Sequence, residues 1–300
     1  MSERHSSEYL GPWRESLWNA DFLALMAQRW DLKTVQSVLE VGSGAGHWSR
    51  ALATVLPPEA SLVGVDREDD WVNVATRRAQ EAGLDEKRRY FEGDGETLPF
   101  LDDSMDMVTC QTVLMHVQSA PQVLNEMLRV LRPGGLLVLV EPNNLIQGLV
   151  MDNLKANDDV PTLVEAIAFQ LTCERGKAAR GEGDNSIGDR LPALLNSAGL
   201  DDIQVYSSDK TFAVHPPYTK PEQRAYVDAL LDWADRDIWA WPREQTRTYF
   251  EAGGGVLSDF DGLWERVVTR SNQRLAHAIR EEKFAKAGGV LAYVISGRKP

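Results

Sequence analysis

Short apolar segments alternate with segments of helical periodicity over about 105 residues of this chain, and no other feature constrains its fold as strongly. An apolar run of a few residues bounded by turn signals predicts a buried strand, whereas apolar residues spaced three and four apart predict a helix. Strands that alternate with helices form βαβ units, so the region is predicted to be an α/β domain with a parallel sheet. The predicted strands cover residues 37–41, 61–66, 89–93, 105–110 and 136–140, and the predicted helices cover residues 47–56, 70–82 and 121–131.

A turn with three glycines, Gly42, Gly44 and Gly46, lies between the first predicted strand and the helix that follows it. Glycines allow positive φ and let a ligand approach the backbone closely, so this turn could hold NAD, FAD, another nucleotide or S-adenosylmethionine. The dinucleotide fingerprint G-x-G-x-x-G is not met, because its sixth position is His47. No Lys-Ser or Lys-Thr pair follows, so the turn is not a phosphate-binding P-loop.

Three carboxylates are expected around the turn. Asp66 ends the second strand, where a carboxylate can accept both hydroxyls of a ribose. Asp94 follows the third strand, in position to accept a hydrogen bond from an adenine amino group, and Glu40 precedes the glycines by two residues. Carboxylates attract the ammonium and sulfonium of S-adenosylmethionine, and they would repel a pyrophosphate.

Five motifs follow one another within residues 37–142: VLEVGSGAG at 38–46, VGVD at 63–66, GDGETLPF at 93–100, MDMVTCQTVLMHV at 105–117 and LRVLRPGGLLVLVEP at 128–142. In order and spacing, they resemble the class I S-adenosylmethionine-dependent methyltransferases, most closely the ubiquinone/menaquinone-biosynthesis type of small-molecule methyltransferases. The resemblance implies a Rossmann-like α/β fold with a seven-stranded, mostly parallel sheet of order 3-2-1-4-5-7-6, in which the seventh strand is antiparallel.

The resemblance also implies S-adenosylmethionine as the cofactor and a role for each matching position. Glu40 is expected at the methionine ammonium, Asp66 at the ribose and Gln111 near the methionine portion. Arg67 and the residues around Asp94 are expected at the adenine. The complete cofactor-binding set is Glu40, Gly42, Ser43, Gly44, Gly46, Asp66, Arg67, Asp94, Gly95, Glu96 and Gln111.

A general base is needed only if the methyl acceptor must lose a proton. His116 is the candidate, because it follows Gln111 by five residues; the alternative is a structural histidine at a helix start. Substrate-binding candidates lie mostly outside the resemblance, and for the tryptophans the alternative is ordinary core packing. They are Tyr9, Trp13, Trp18, Asn143, Asn144, Arg190, Trp239 and Trp241.

The remainder of the chain predicts an organisation in four parts. Residues 1–34 are expected to form an N-terminal helical lid containing a helix at 13–30, and residues 35–219 the cofactor-binding core. Residues 220–288 are expected to be a helical cap inserted before the last strand, which lies in residues 289–300. The strand candidates at 202–207 and 291–296 should pair in the main sheet.

The net charge of −13 is uneven, because residues 1–219 carry 19 basic against 33 acidic side chains. Such a surface repels nucleic acid and anionic lipid, so we expect neither as a partner; the acidity is also explained by solubility alone. Two cysteines form no disulfide framework, and we expect no metal site. With no apolar signal segment or membrane-spanning run, the chain is expected in the cytoplasm, as a monomer or homodimer.

The sequence thus predicts an enzyme that transfers a methyl group from S-adenosylmethionine to a small-molecule acceptor. Two alternatives stay open. One is a non-catalytic S-adenosylmethionine-binding or partner-binding protein on the same core, and the other is a Rossmann-type NAD(P)-dependent oxidoreductase.

Overall fold

The computed structural model describes residues 14, 17–84, 86–149, 151–209, 211–289 and 291–300. The chain divides into two compact units. The sheet unit comprises the described residues up to 143 together with 187–209 and 292–300. The helical unit comprises the described residues within 144–186 and 210–291.

A seven-stranded sheet organises the sheet unit, with strand order β3-β2-β1-β4-β5-β9-β6. The five strands β1 to β5 run parallel, and β9 lies antiparallel between β5 and β6. The expected sheet, including its antiparallel strand and the pairing of the last two candidates, is therefore confirmed. The strands are β1 Ser37–Val41, β2 Ser61–Asp66, β3 Arg88–Glu92, β4 Met105–Gln111, β5 Leu131–Pro142, β6 Asp201–Ser207 and β9 Ala292–Arg298.

The apolar run in β5 explains why this strand is central to the fold. Successive side chains of a strand point to opposite faces, so a strand covered on both sides is apolar throughout. Leu137 and Leu139 pack into the core on one face of the sheet, whereas Leu136, Val138 and Val140 pack into the core on the other. Both cores depend on this one strand.

Helices cover the two faces of the sheet unit. Apolar residues of the first helix, among them Phe22 and Met26, are buried against one face. This helix begins at Ala20, whereas the helix predicted at 13–30 also included residues 17–19, which are described and not helical. Ser119 caps the fourth helix and Pro121 lies in its first turn, as its sequence predicts. The helices are α1 Ala20–Arg29, α2 His47–Ala53, α3 Asp69–Glu81, α4 Ala120–Val130 and α7 Leu191–Ser197.

The helical unit has its own aromatic core. Its helices are α5 Asn144–Leu149, α6 Val160–Ala179, α8 Pro221–Asp235, α9 Arg243–Ala252, α10 Leu257–Trp264 and α11 Arg270–Arg280. A two-stranded antiparallel pair, β7 Thr211–Val214 with β8 Lys286–Gly289, belongs to the same unit and was not expected from the sequence. Among the described residues, no helix has the length and apolar character that crossing a membrane requires.

The boundaries of the two units differ from those expected for the core at 35–219 and the insert at 220–288. Residues 144–186 belong with the insert because Phe169 and Cys173 of α6 lie in one core with Tyr249 and Trp264. A contact between distant segments decides this grouping, and no local pattern in the sequence reports it.

The close packing of α6 against α9 predicts a stability effect at Gly176. A Cβ at this position would lie 1.7 Å from the carbonyl oxygen of Tyr249, so the two helices would have to separate. We expect Gly176→Ala to destabilise the helical unit by about 1–3 kcal/mol, measured as a lower melting temperature. Gly262→Ala in α10 is the matched control, because its Cβ would meet only a flexible arginine terminus at 3.2 Å. Equal melting temperatures for both variants would contradict the close packing of α6 against α9 at Gly176.

Candidate functional site

The glycine turn after β1 has the backbone conformation that its sequence predicts. Gly42, Gly44 and Gly46 have φ values of 66°, 49° and 73°, a region that side chains other than glycine disfavour. A Cβ at Gly42 would lie 2.3 Å from a methyl carbon of Val113. The Ser43 amide donates to the carbonyl oxygen of Val65 at 3.0 Å, which fixes the turn against the end of β2.

Asp66, the last residue of β2, is oriented by the same turn. One carboxylate oxygen accepts the Gly44 amide at 2.7 Å, and the other accepts the Glu68 amide at 3.0 Å. These bonds hold the half-buried carboxylate beside the glycines. Because each oxygen has more than one lone pair, the carboxylate can still accept ligand hydroxyls, as predicted for a ribose.

The turn after β3 lies next to Asp66, because the Gly93 amide donates to the carbonyl oxygen of Asp66 at 2.9 Å. Within this turn the exposed Asp94 carboxylate accepts the Glu96 amide at 2.9 Å. Gly95 packs so closely on β1 that a Cβ would lie 3.0 Å from Val41. The structure thus brings the predicted adenine-side residues to one edge, where Arg67 is also exposed.

Glu40 is buried in β1, where the Ser49 hydroxyl donates to its carboxylate. Burial raises the pKa of Glu40 to about 8, and the negative charge of Asp66 raises it further, against the opposing effects of Ser49 and Arg50. At neutral pH the carboxyl is therefore mostly protonated. A cationic group that enters the site would favour its ionised form.

Gln111 ends β4 and His116 lies in the loop that follows, and a second buried carboxyl holds this loop. An oxygen of Glu141 accepts the amides of Val113 at 2.8 Å and Leu114 at 2.7 Å. Burial raises the pKa of Glu141 to about 7 despite these bonds. Sequence reasoning missed Glu141, although an acidic residue at the end of an apolar strand was a signal.

Arg14 was also missed. Its Nη2 donates to the hydroxyl oxygen of Thr112 at 2.9 Å, which brings this residue to the loop after β4. Burial lowers the pKa of Arg14 to about 10, and the nearby Glu40 raises it only partly. A lone arginine before the first helix carries no local sequence signal, since only folding brings it to the glycine turn.

Within the part of the chain that the structure describes, some buried polar atoms near the turn have no hydrogen-bond partner. They include the Ser43 Oγ, the Gln111 Oε1 and the Arg14 Nε. Buried polar atoms are normally paired, so unpaired ones in one region indicate a ligand-binding place. A hydroxyl, an amide oxygen and a guanidinium fit the ammonium and carboxylate of a methionine moiety, so these residues are suited to S-adenosylmethionine.

The predicted substrate residues belong partly to the sheet unit, partly to the helical unit and partly to residues that the structure does not describe. Trp18 packs on Trp48 with ring centroids 4.6 Å apart and the rings tilted by 37°, so it lies against the core of the sheet unit. Asn143 donates to Asp189 at 2.6 Å in the sheet unit, whereas Asn144 donates to the Asn185 carbonyl in the helical unit. Arg190 is exposed, and Tyr9 and Trp13 lie outside the described residues.

Trp239 and Trp241 belong to the core of the helical unit. Trp239 packs on Phe169 with centroids 5.2 Å apart, and Trp241 packs edge-on against Tyr249 at 5.1 Å. These contacts agree with ordinary core packing. A role of the two tryptophans in binding substrate stays a prediction.

Comparison with known proteins identifies the region around the glycine turn. Residues 39–139 match the family described as methyltransferase domain. The uncharacterized methyltransferase YcgJ of Bacillus subtilis is 36% identical over 119 residues, which cover 40% of this chain and 46% of that protein. Methyltransferase GfsG of Streptomyces halstedii is 30% identical over 204 residues, which cover 68% of this chain and 65% of that protein. The chain therefore spans less than two thirds of the length of these relatives.

A further relative is the ubiquinone/menaquinone biosynthesis C-methyltransferase UbiE of Ectopseudomonas mendocina, 33% identical over 38% of this chain and 46% of that protein. Two solved structures share the fold. The YcgJ structure has a TM-score of 0.51 at 20% identity, covering 94% of this chain and 99% of that one. A putative methyltransferase from Bacillus halodurans has a TM-score of 0.52 at 22% identity, covering 93% and 99%.

The position of Asp66 predicts a loss of cofactor affinity on substitution. Charge-assisted hydrogen bonds to ribose hydroxyls contribute roughly 1.5–3 kcal/mol each, so Asp66→Ala should weaken S-adenosylhomocysteine binding by roughly tenfold to a thousandfold. Calorimetry measures the dissociation constant. Asp69→Ala, which removes an exposed carboxylate in the first turn of α3, should leave it unchanged. An unaltered constant for Asp66→Ala would show that this carboxylate does not bind the ligand.

The raised pKa of Glu40 predicts a pH-dependent affinity. Glu40 must lose its proton to attract the ligand ammonium, so binding should tighten by up to about tenfold per pH unit between about pH 6 and 7.5. The range ends there because an α-amino group itself loses its proton near pH 8. Calorimetric titration of S-adenosylhomocysteine across this range measures the slope. Glu40→Gln should bind more weakly and with a flat profile, and a flat profile in the native protein would refute the assignment.

Proposed function

We propose that the chain transfers a methyl group from S-adenosylmethionine to a small-molecule acceptor, because residues 39–139 match the methyltransferase-domain family and a C-methyltransferase is among the relatives. The observation that carries this proposal is the set of unpaired buried atoms on Ser43, Gln111 and Arg14 beside the glycine turn. Their chemistry complements an amino-acid end.

The charge around the turn supports this choice over a dinucleotide. The carboxyls of Glu40 and Asp66 flank the turn, and the negative charge of Asp66 acts on Glu40. A pyrophosphate at the turn would be repelled by the negative charge of Asp66, whereas a sulfonium and an ammonium are attracted to Asp66 and favour the ionised form of Glu40. The same argument disfavours an NAD(P)-dependent oxidoreductase.

Methyl transfer needs positioning more than covalent catalysis. When bound, S-adenosylmethionine supplies a methyl group on a positively charged sulfur. The protein has to align the acceptor for in-line attack and exclude water, and alignment of this kind lowers a reaction barrier by several kcal/mol, up to roughly 7–11. Gln111, at the end of β4, orients the methionine portion, and Asp66 fixes the ribose.

We propose that His116 removes the proton from the acceptor where the acceptor carries one. It ends the short 3₁₀ turn Leu114–His116, and Glu141 anchors the first amides of that turn. A fixed backbone limits the positions that the imidazole can reach, as a general base requires. A ring nitrogen of His116 would take the proton, and solvent would receive it afterwards.

The net charge of the protein and the names of its relatives suggest which acceptor class to test first. An acidic surface favours neutral or cationic acceptors over anionic ones. The relatives named for ubiquinone and menaquinone biosynthesis make aromatic hydroxyl compounds the first class to test. We place the chain in the cytoplasm, acting without nucleic acid or membrane partners, as a monomer or homodimer. A lid formed by residues 1–34 and a substrate-binding role for Tyr9 and Trp13, which lie outside the described residues, stay predictions.

Transfer of radiolabelled methyl groups tests the function. The protein is incubated with labelled S-adenosylmethionine and phenols, hydroquinones, amines or thiols, and label should appear in at least one class. His116→Ala should then lower kcat by about 10²–10⁴-fold for an acceptor that must lose a proton, with little change in the KM for S-adenosylmethionine. His215→Ala, at an exposed loop position, is the control. Tight S-adenosylhomocysteine binding without transfer, even to a small-molecule cell extract, would favour a non-catalytic protein.

A further inference from the structure

Arg14 is a cation in the sheet unit for which the described residues provide no ion pair. Its Nε is buried and has no hydrogen-bond partner among the described residues. Burial lowers its pKa to about 10, so the guanidinium stays charged at neutral pH at the expense of folding stability. A buried charge is normally paired with an opposite charge, so a guanidinium without one among the described residues needs an explanation.

Glu40 does not supply this anion in the ligand-free protein. Burial raises the Glu40 pKa to about 8, so its carboxyl is mostly neutral at pH 7. The hydrogen bond that Arg14 makes goes instead to the neutral hydroxyl of Thr112 at 2.9 Å. Thr112 has a φ of 56°, a conformation uncommon for a β-branched residue, and its own hydroxyl donates to the carbonyl oxygen of Gln111 at 2.7 Å.

Arg14 and Glu40 together match a zwitterion. An α-amino acid carries an ammonium and a carboxylate on one carbon, so its two charges require an acidic and a basic partner close together. Glu40 and Arg14 interact electrostatically, and the unpaired oxygens of Ser43 and Gln111 lie in the same region. The planar donors of an arginine guanidinium match the two oxygens of a carboxylate better than the ammonium of a lysine does.

We propose that Arg14 binds the carboxylate of the cofactor's amino-acid end and thereby couples the segment before α1 to the loop after β4. This inference rests on the proposed function. Because Arg14 also donates to Thr112, a bound carboxylate would join residue 14, the end of β4 and the glycine turn in one hydrogen-bonded network. Arg14 is then a binding and positioning residue, whereas Asp66 acts on the ribose.

Two ligands that differ in the amino-acid end test the proposal by calorimetry. S-adenosylhomocysteine carries the carboxylate, and 5′-methylthioadenosine lacks the entire amino-acid portion. Arg14→Met should weaken binding of S-adenosylhomocysteine by about tenfold to a hundredfold and leave 5′-methylthioadenosine within about twofold. Arg14→Lys should bind S-adenosylhomocysteine with an affinity between those of the native protein and Arg14→Met, since lysine keeps the positive charge but lacks the planar set of donors. Arg29→Ala removes the same charge from an exposed position on α1 and should change neither constant.

Two further measurements separate binding from a structural role. The melting temperature of ligand-free Arg14→Met should equal or exceed that of the native protein, because the variant removes an unpaired buried charge. Hydrogen exchange of residues 111–116 should slow with S-adenosylhomocysteine in the native protein and respond less in Arg14→Met.

Several results would overturn the proposal. Equal weakening of both ligands, or of neither, would show that Arg14 does not bind the carboxylate, and a large drop in the ligand-free melting temperature would assign it a structural role. In those cases the native protein still binds S-adenosylhomocysteine and the proposed function stands. Failure of the native protein to bind S-adenosylhomocysteine would instead refute the proposed function and this inference together.

Discussion

The parallel pairing of β1 with β4 is the constraint on which the site depends. From β1 the strand order continues through β2 to β3 on one side of the sheet, and from β4 it continues through β5 and β9 to β6 on the other. The strand order therefore reverses between the neighbours β1 and β4. In open α/β sheets a crevice forms at such a switch point, outside the carboxyl ends of the strands. The register aligns Val41 with Cys110, and therefore brings the glycine turn and Gln111 to the same level of that crevice.

Buried ionisable groups give this crevice its chemistry at a cost in stability. Glu40 has a pKa of about 8 in the folded protein and ionises near 4.5 when unfolded. Between these values the folded state binds more protons, so this group makes the unfolding free energy fall as the pH rises through that range. A cation bound beside Glu40 would reduce this loss. In the ligand-free protein the buried groups of the site have unfavourable electrostatic energies. A ligand of the opposite charge lowers these energies, which favours its binding over that of ligands with the wrong charge.

The match to the methyltransferase-domain family lies within one of the two compact units. The family match covers residues 39–139, all of which lie in the sheet unit. The chain leaves that unit after Asn143 and again after Asp209, and each time it contributes helices to a second core built from Phe169, Trp241 and Trp264. The family match therefore does not extend to the helical unit.

The sequence by itself determined the sheet and the cofactor turn. Apolar periodicity places β1 to β5, and the Gly42, Gly44 and Asp66 pattern fixes the turn, because both are recorded in residues that are near one another along the chain. Tertiary structure alone decided the partners that are far apart in sequence. Arg14 meets Thr112 across 98 residues, and Glu141 holds the amide of Val113 across 28. Tertiary structure also assigned residues 144–186 to the helical unit and Trp241 to the core of that unit. A lone arginine, glutamate or tryptophan has no periodicity to reveal its partner, so its role is set only when the folded sheet brings the partner within bonding distance.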